Sequence, residues 1–199
     1  MTPTAAAALG SLAFVLLVVL LWLVVTHNRF VRLRHLVHES WRQVDVELVR
    51  RHDLVPNLVR VVAAYAAHER AVLDRVVALR DRAAAPSATV DQQGGDEAGL
   101  TSALRDLFAL GEAYPTLRAD QHFLALQRQL SETEDRIAAA RRFYNGNVRA
   151  LNTRVEMFPS SVVASLWHVT QAGYFLADEA QVRAAPLVPA SGPGPVARP

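Results

Sequence analysis

Neither cysteine nor lysine occurs anywhere in the 199 residues, and all 21 basic side chains are arginine. The missing cysteine excludes disulfides, thiolate nucleophiles and zinc sites built on thiolates. The missing lysine excludes a Schiff base and a phosphate-loop lysine. No glycine-rich phosphate loop is present, and no glycine elbow surrounds Ser160 or Ser161. A net charge of +2 is too small to predict a nucleic-acid partner, which needs a clustered basic face with stacking or base-reading groups. His68-Glu69 opens like a helical zinc-peptidase motif, but position 72, where the second histidine would stand, is Val72. The remaining histidines are scattered, so neither a metal nor a cofactor is expected.

Set against these absences is a long apolar run. From Ala5 to Val25 there are 21 residues without charge or proline, interrupted only by Gly10 and Ser11. At 1.5 Å per residue such a run spans roughly 30 Å, the thickness of the hydrocarbon core of a bilayer. A cleaved signal peptide needs a basic start and a small-residue cleavage site after the apolar stretch. Met1 to Thr4 carry no base and the run ends in Trp22-Leu23-Val24-Val25-Thr26, so the reading is a retained anchor. Arg29, Arg32 and Arg34 follow it, with no acid before Glu39. Basic residues on one flank alone predict a plasma-membrane protein with a short outer N-terminus and its domain in the cytoplasm. Trp22 stands where an interfacial aromatic belongs.

The rest of the chain is organised around Trp41 to Leu79. Steps of three and four pick out Trp41, Val44, Leu48, Arg51, Val55, Leu58, Val62, Tyr65, Glu69, Val72, Val76 and Leu79. A 3.5-residue repeat makes a narrow stripe that another helix must cover, so this helix lies in a coiled-coil-like bundle. The unbroken phase predicts one helix over 30–85, kinked at Pro56. Residues 85–99 collect turn residues and read as a flexible connection. A short helix over 100–113 ends at Tyr114-Pro115, where Gly111, Pro115 and Asp120 favour a chain reversal over a kink. A second seam, from Phe123 through Leu130, Thr133, Ile137, Tyr144 and Asn147 to Leu151, predicts a helix over about 120–157. A last helix is expected from Ser160, capped by Ser160 or Ser161, to about Ala180. This order runs up, down, up, down, with helices 30–84 and 120–157 parallel. The proline-rich tail 182–199 is expected to be disordered.

The densest polar chemistry is Arg50-Arg51-His52-Asp53-Leu54-Val55-Pro56-Asn57. Its structural reading pairs the seam residue Arg51 with a carboxylate, while Asp53 and Asn57 serve backbone freed by Pro56. A recognition patch is the functional reading. Arg51, Asp53 and Asn57, with Tyr144, Asn145 and Asn147 of the second long helix, form the candidate polar cluster.

In their order and spacing several motifs resemble the LemA family of bacterial membrane-anchored proteins. They are Arg51-His52-Asp53-Leu54-Val55-Pro56-Asn57-Leu58-Val59, Tyr65-Ala66-Ala67-His68-Glu69, Glu112-Ala113-Tyr114-Pro115, Glu134-Asp135-Arg136-Ile137, Arg141-Arg142-Phe143-Tyr144-Asn145 and Phe158-Pro159. The sequence departs from the family pattern at His52, at Leu151-Asn152 in place of a second Tyr-Asn, and at Trp167-His168 in place of a Gly-Phe pair. The resemblance implies an all-α fold: a short outer end and transmembrane helix over 1–26, a four-helix bundle over 27–181, then the tail. It further implies an association with envelope maintenance and membrane proteases. The resulting expectation is a non-enzymatic interaction or scaffold module in the lipid bilayer, with membrane or envelope proteins as partners and homo-oligomerisation left open. Its alternative is an accessory subunit or regulator of a membrane protease, or a hydrolase using His68, Glu69 and Asp53.

Overall fold

The computed structural model describes residues 3–176, and the regular structure among them is helical, with no strand. The first helix, α1 (Pro3–Tyr65), has 63 residues and is roughly 95 Å long at 1.5 Å per residue. Its N-terminal side chains, among them Leu12, Phe14, Leu16 and Val25, are exposed. Packing begins at Leu23 and Thr26 and is complete at Phe30, which is 1% exposed. Among the described residues, α1 alone is long and apolar enough to cross a membrane. Beyond Phe30 the predicted stripe is buried at Val44, Leu48, Arg51, Val55, Leu58 and Val62.

Pro56 sits inside α1 without interrupting it. Proline has no donor for the carbonyl four residues back. The carbonyl thus freed, that of His52, accepts from Arg80 Nε at 3.2 Å. This corrects the expectation that Asp53 and Asn57 would serve it: both are exposed, and Asn57 Oδ1 accepts instead from Arg60.

The helix expected to continue to residue 85 ends at Tyr65. Residues 66–69 turn, and α2 (Arg70–Ala84) runs back along α1. No glycine or proline marks the place; the cause lies in the partner helix. Tyr65 Oη donates to Asp120 at 3.0 Å, and Asp120 is the cap of the helix that covers α1. A continuation of α1 past Tyr65 would leave its stripe without cover, whereas reversal brings Leu73 and Val76 into one core with Val55, Leu58 and Val62.

The flexible connection expected over 85–99 shrinks to 85–89, because α3 (Val90–Ala113) starts ten residues earlier than predicted. Thr89 Oγ1 accepts from Gln92 N at 3.1 Å, so a capping-box spacing lies among the turn residues. Arg75–Asp106 at 3.1 Å and Arg82–Asp96 at 2.6 Å run in opposite residue order, so α2 and α3 are antiparallel.

The chain then reverses at Tyr114. Pro115 opens a single turn, α4 (Pro115–Arg118), and Asp120 caps α5 (Gln121–Glu156) by accepting from Phe123 N at 2.9 Å. Gly111 is required here, since a Cβ would lie 2.6 Å from the Phe123 ring. Tyr65–Asp120, Arg51–Glu134 and Asn147–Leu36 make α5 antiparallel to α1. Helices 30–84 and 120–157 were expected to be parallel; the extra reversal after Tyr65 changes the sense. The sequence of directions is α1 up, α2 down, α3 up, α5 down.

The last helix, α6 (Ser160–Leu166), has 7 residues instead of the expected twenty or so. His168 stops it by adopting φ 51°. His168 N–H then bonds Ser165 O at 3.3 Å and Val169 N–H bonds Ala164 O at 2.9 Å, the paired closure of a helix on a left-handed residue. Ser160 does not cap α6: its hydroxyl donates to the carbonyls of Arg154 and Met157, both at 2.8 Å, and so finishes α5. Residues 167–176 continue without regular structure. The remainder of the expected helix and the tail 182–199 lie outside the described residues.

Candidate functional site

Midway along the domain, α1, α3 and α5 converge on Arg51. An arginine on a helix seam must bring its charge into the core, and there it needs a partner of opposite sign. Arg51 is 1% exposed. Its Nη2 pairs with Glu97 Oε2 from α3, and its Nη1 bonds both Glu134 of α5 and Thr101 Oγ1, the latter at 2.9 Å. Glu97, 2% exposed, also accepts from Gln93 Nε2 at 2.8 Å and meets His52 Nε2 at 2.9 Å. Thr101 Oγ1 donates to the Glu97 carbonyl at 3.0 Å.

Gln93, Glu97 and Thr101 recur every four residues and share one face of α3. That spacing was legible, but it lay in the stretch read as a connection. Burial alone would raise the Glu97 pKa; the His52 hydrogen bond and the charges of Arg51 and His52 outweigh it and hold the carboxyl below its ordinary range. A carboxylate locked ionised among donors is a poor general base. The cluster therefore ties three helices together, and a cleft of about 380 Å³ beside it, reaching Arg105 and Arg141, opens it to solvent on the Glu134 side.

Tyr144, Asn145 and Asn147 are placed elsewhere, along α5. Tyr144 Oη donates to Gly173 O at 2.8 Å. Asn145 holds Phe175 at both ends, accepting from its N–H at 2.9 Å and donating to its carbonyl at 3.2 Å. Asn152 does the same for Ala172, with both bonds 2.9 Å. Seven residues of helix rise about 10 Å and three extended residues cover about the same distance, so two asparagines one heptad apart match a strap at every third residue. The strap presses Leu176 onto α3, where a Cβ at Gly94 would meet the Leu176 carbonyl at 3.0 Å. Asn152 retains the asparagine of the second Tyr-Asn pair, in which Leu151 stands in place of the tyrosine. Asn147 only reaches the Leu36 carbonyl, at 3.5 Å.

Asp53 and Asn57 are not drawn into either group. His68 is exposed, and Glu69 accepts from Tyr114 Oη at 3.2 Å. Asp53 lies about 18 Å back along α1 from Tyr65, by the helix rise, so the proposed hydrolase set is not assembled. Among the described residues no group of three histidine or acidic side chains is placed to hold a metal.

Residues 40–189 match the LemA family. The chain is also similar to magnetosome protein MamQ 2 and magnetosome protein MamQ 1 of Paramagnetospirillum magneticum (strain ATCC 700264 / AMB-1), each 25% identical over 178 residues. Magnetosome protein MamQ of Magnetospirillum gryphiswaldense (strain DSM 6361 / JCM 21280 / NBRC 15271 / MSR-1) is 23% identical over the same length. Each alignment covers 77% of this chain and 65% of the relative, so the chain spans less than two thirds of these curated relatives.

Proposed function

Because the chain belongs to the LemA family, we propose that it is a single-pass membrane protein whose helical domain binds other proteins and carries out no catalysis. The observation that carries this reading is the continuity of α1, whose exposed apolar part and buried seam belong to one helix with no hinge between them. Such a helix transmits the position of a membrane anchor rigidly to the domain. In this reading α1, α2, α3 and α5 make up a four-helix bundle with coiled-coil-like seams, standing in the cytoplasm. Arg29, Arg32 and Arg34 on one flank of the apolar stretch support that orientation. The LemA family and the magnetosome relatives support a membrane-associated, non-catalytic role. The partners are membrane or envelope proteins, a membrane protease among them.

The test has two arms. A reporter fused after Arg183 should be active as a cytoplasmic protein and inactive as an exported one; the opposite pattern reverses the orientation. Proximity labelling from the full chain should mark membrane proteins that a fusion of residues 1–40 alone does not mark. Identical labelling by the two fusions would remove the binding role from the domain.

A further inference from the structure

The α5–α6 corner stands level with the end of the apolar stretch of α1. Trp22 and Thr26 share a cleft of about 460 Å³ with Met157, Phe158 and Ser160, and the His27 and Trp167 rings lie 5.2 Å apart. At this level α6 and the residues that flank it carry apolar side chains on two sides. Val163 and Ala164 face inward, in one core with Phe30 and Leu151. Met157, Phe158, Val162, Leu166 and Trp167 are exposed, Phe158 at 81%. A corner that exposes five large apolar side chains together is a patch of the kind that marks an interaction surface. Beside it Arg149 and Arg154 line the cleft, which has no acidic lining residue. Arg154 Nε is buried without a hydrogen-bond partner. Burial, and then the charge of Arg29, lowers the Arg154 pKa.

We propose that this corner is a second lipid contact, in which Met157, Phe158, Val162 and Leu166 enter the interfacial layer of the bilayer crossed by α1, while Arg149 and Arg154 hold the phosphate of an anionic phospholipid headgroup. The proposal rests on α1 being the membrane span. Apolar side chains at the level of the last turns of a span meet the headgroup and acyl boundary, where amphipathic segments settle. Arginines just above that level gain from anionic lipid. The corner would thus set the tilt and rotation of the long helix, which the span alone leaves free.

The full chain, which lacks cysteine, accepts single labelling sites. A fluorophore is attached at Leu16→Cys in the apolar stretch, at Phe158→Cys or Val162→Cys in the corner, or at Asp106→Cys on the far side. The protein is placed in phosphatidylcholine vesicles carrying phosphatidylglycerol, with either lipid brominated in its acyl chains. Brominated lipid should quench the labels at positions 16, 158 and 162 and leave that at 106 unquenched. Quenching at 16 without quenching at 158 and 162 would overturn the corner contact and leave the span intact. No quenching at 16 would overturn the span and this proposal with it. At equal content, brominated phosphatidylglycerol should quench the Val162→Cys label about fivefold more strongly than brominated phosphatidylcholine. That preference should survive excess inorganic phosphate and the Arg149→Lys/Arg154→Lys pair, and vanish in Arg149→Gln/Arg154→Gln. Equal quenching by the two lipids in the unaltered arginine background would overturn the headgroup site, as would a preference abolished by inorganic phosphate.

Discussion

Arg51 and Glu97 illustrate how a single charge on a seam commits the rest of the core. Each is buried, and each is the other's principal compensation. Arg51→Met therefore leaves Glu97 buried with only His52 and Gln93 beside it, and should destabilise by about 3–5 kcal/mol. Replacing both, Arg51→Met with Glu97→Leu, should recover most of that loss, because a buried ion pair and a well-packed apolar pair are often equivalent. Denaturant unfolding of the single and double variants checks this. The pH dependence has a definite sign. The folded pKa of Glu97 is depressed, so its contribution is present above the unfolded value of about 4.3 and is lost as pH falls below that and through the folded pKa. Melting followed from neutral pH downward should accordingly fall less steeply in Glu97→Gln, which starts from a lower stability at neutral pH. His168 poses the opposite case, a side chain where the backbone favours none. With φ at 51° it occupies the left-handed region, and His168→Gly should stabilise by about 0.5–1 kcal/mol in the same assay. A neutral or destabilising result would mean that the imidazole makes a contact worth as much as the relieved backbone.

At the scale of elements, the passage of α1 through Pro56 depends on another helix. The His52 carbonyl that lost its donor takes one from Arg80 of α2. Arg80→Ala should cost about 1–3 kcal/mol, the usual penalty for orphaning a partly buried acceptor. Pro56→Ala restores the amide donor within α1, so the same Arg80→Ala change should cost clearly less in that background. A double-mutant cycle measures the difference, and additivity within about 0.5 kcal/mol would show that Arg80 does not serve the proline. The strap at 172–175 shows why the final helix stops short. Asn145 and Asn152 offer its backbone the hydrogen bonds that a helix would have supplied, and Val169 and Phe175 become buried in the process. Side chains that hydrogen-bond main chain compete with helix in this way, and no periodicity in the strap itself reveals it.

For the whole molecule, the boundary between anchor and domain lies inside one helix. The apolar exposure stops near Val25 and the core starts at Thr26 and Phe30, so the domain reaches further toward the apolar stretch than its heptad seam does. A fragment spanning 29–183 should fold without metal and melt cooperatively, unmoved by chelators. One spanning 36–183 loses Phe30 from the core with Leu151 and Val163, and should be less stable by about 3–5 kcal/mol. Equal melting of the two fragments would place the domain boundary after Phe30. The apolar run, the arginine flank, the first seam as far as Val62, the second seam, the reversal at Tyr114-Pro115 and the membership of a family were legible in the sequence, because each depends on local composition or on a period set by one helix. The turn at 66–69, the full length of α3, the antiparallel setting of α1 and α5, the strap and the partners of Arg51 were decided only by tertiary structure. Each of these depends on where a partner ends or what it offers: α5 begins opposite Tyr65, Leu176 needs the space over Gly94, and Glu97 is placed at Arg51 only once α3 has folded back.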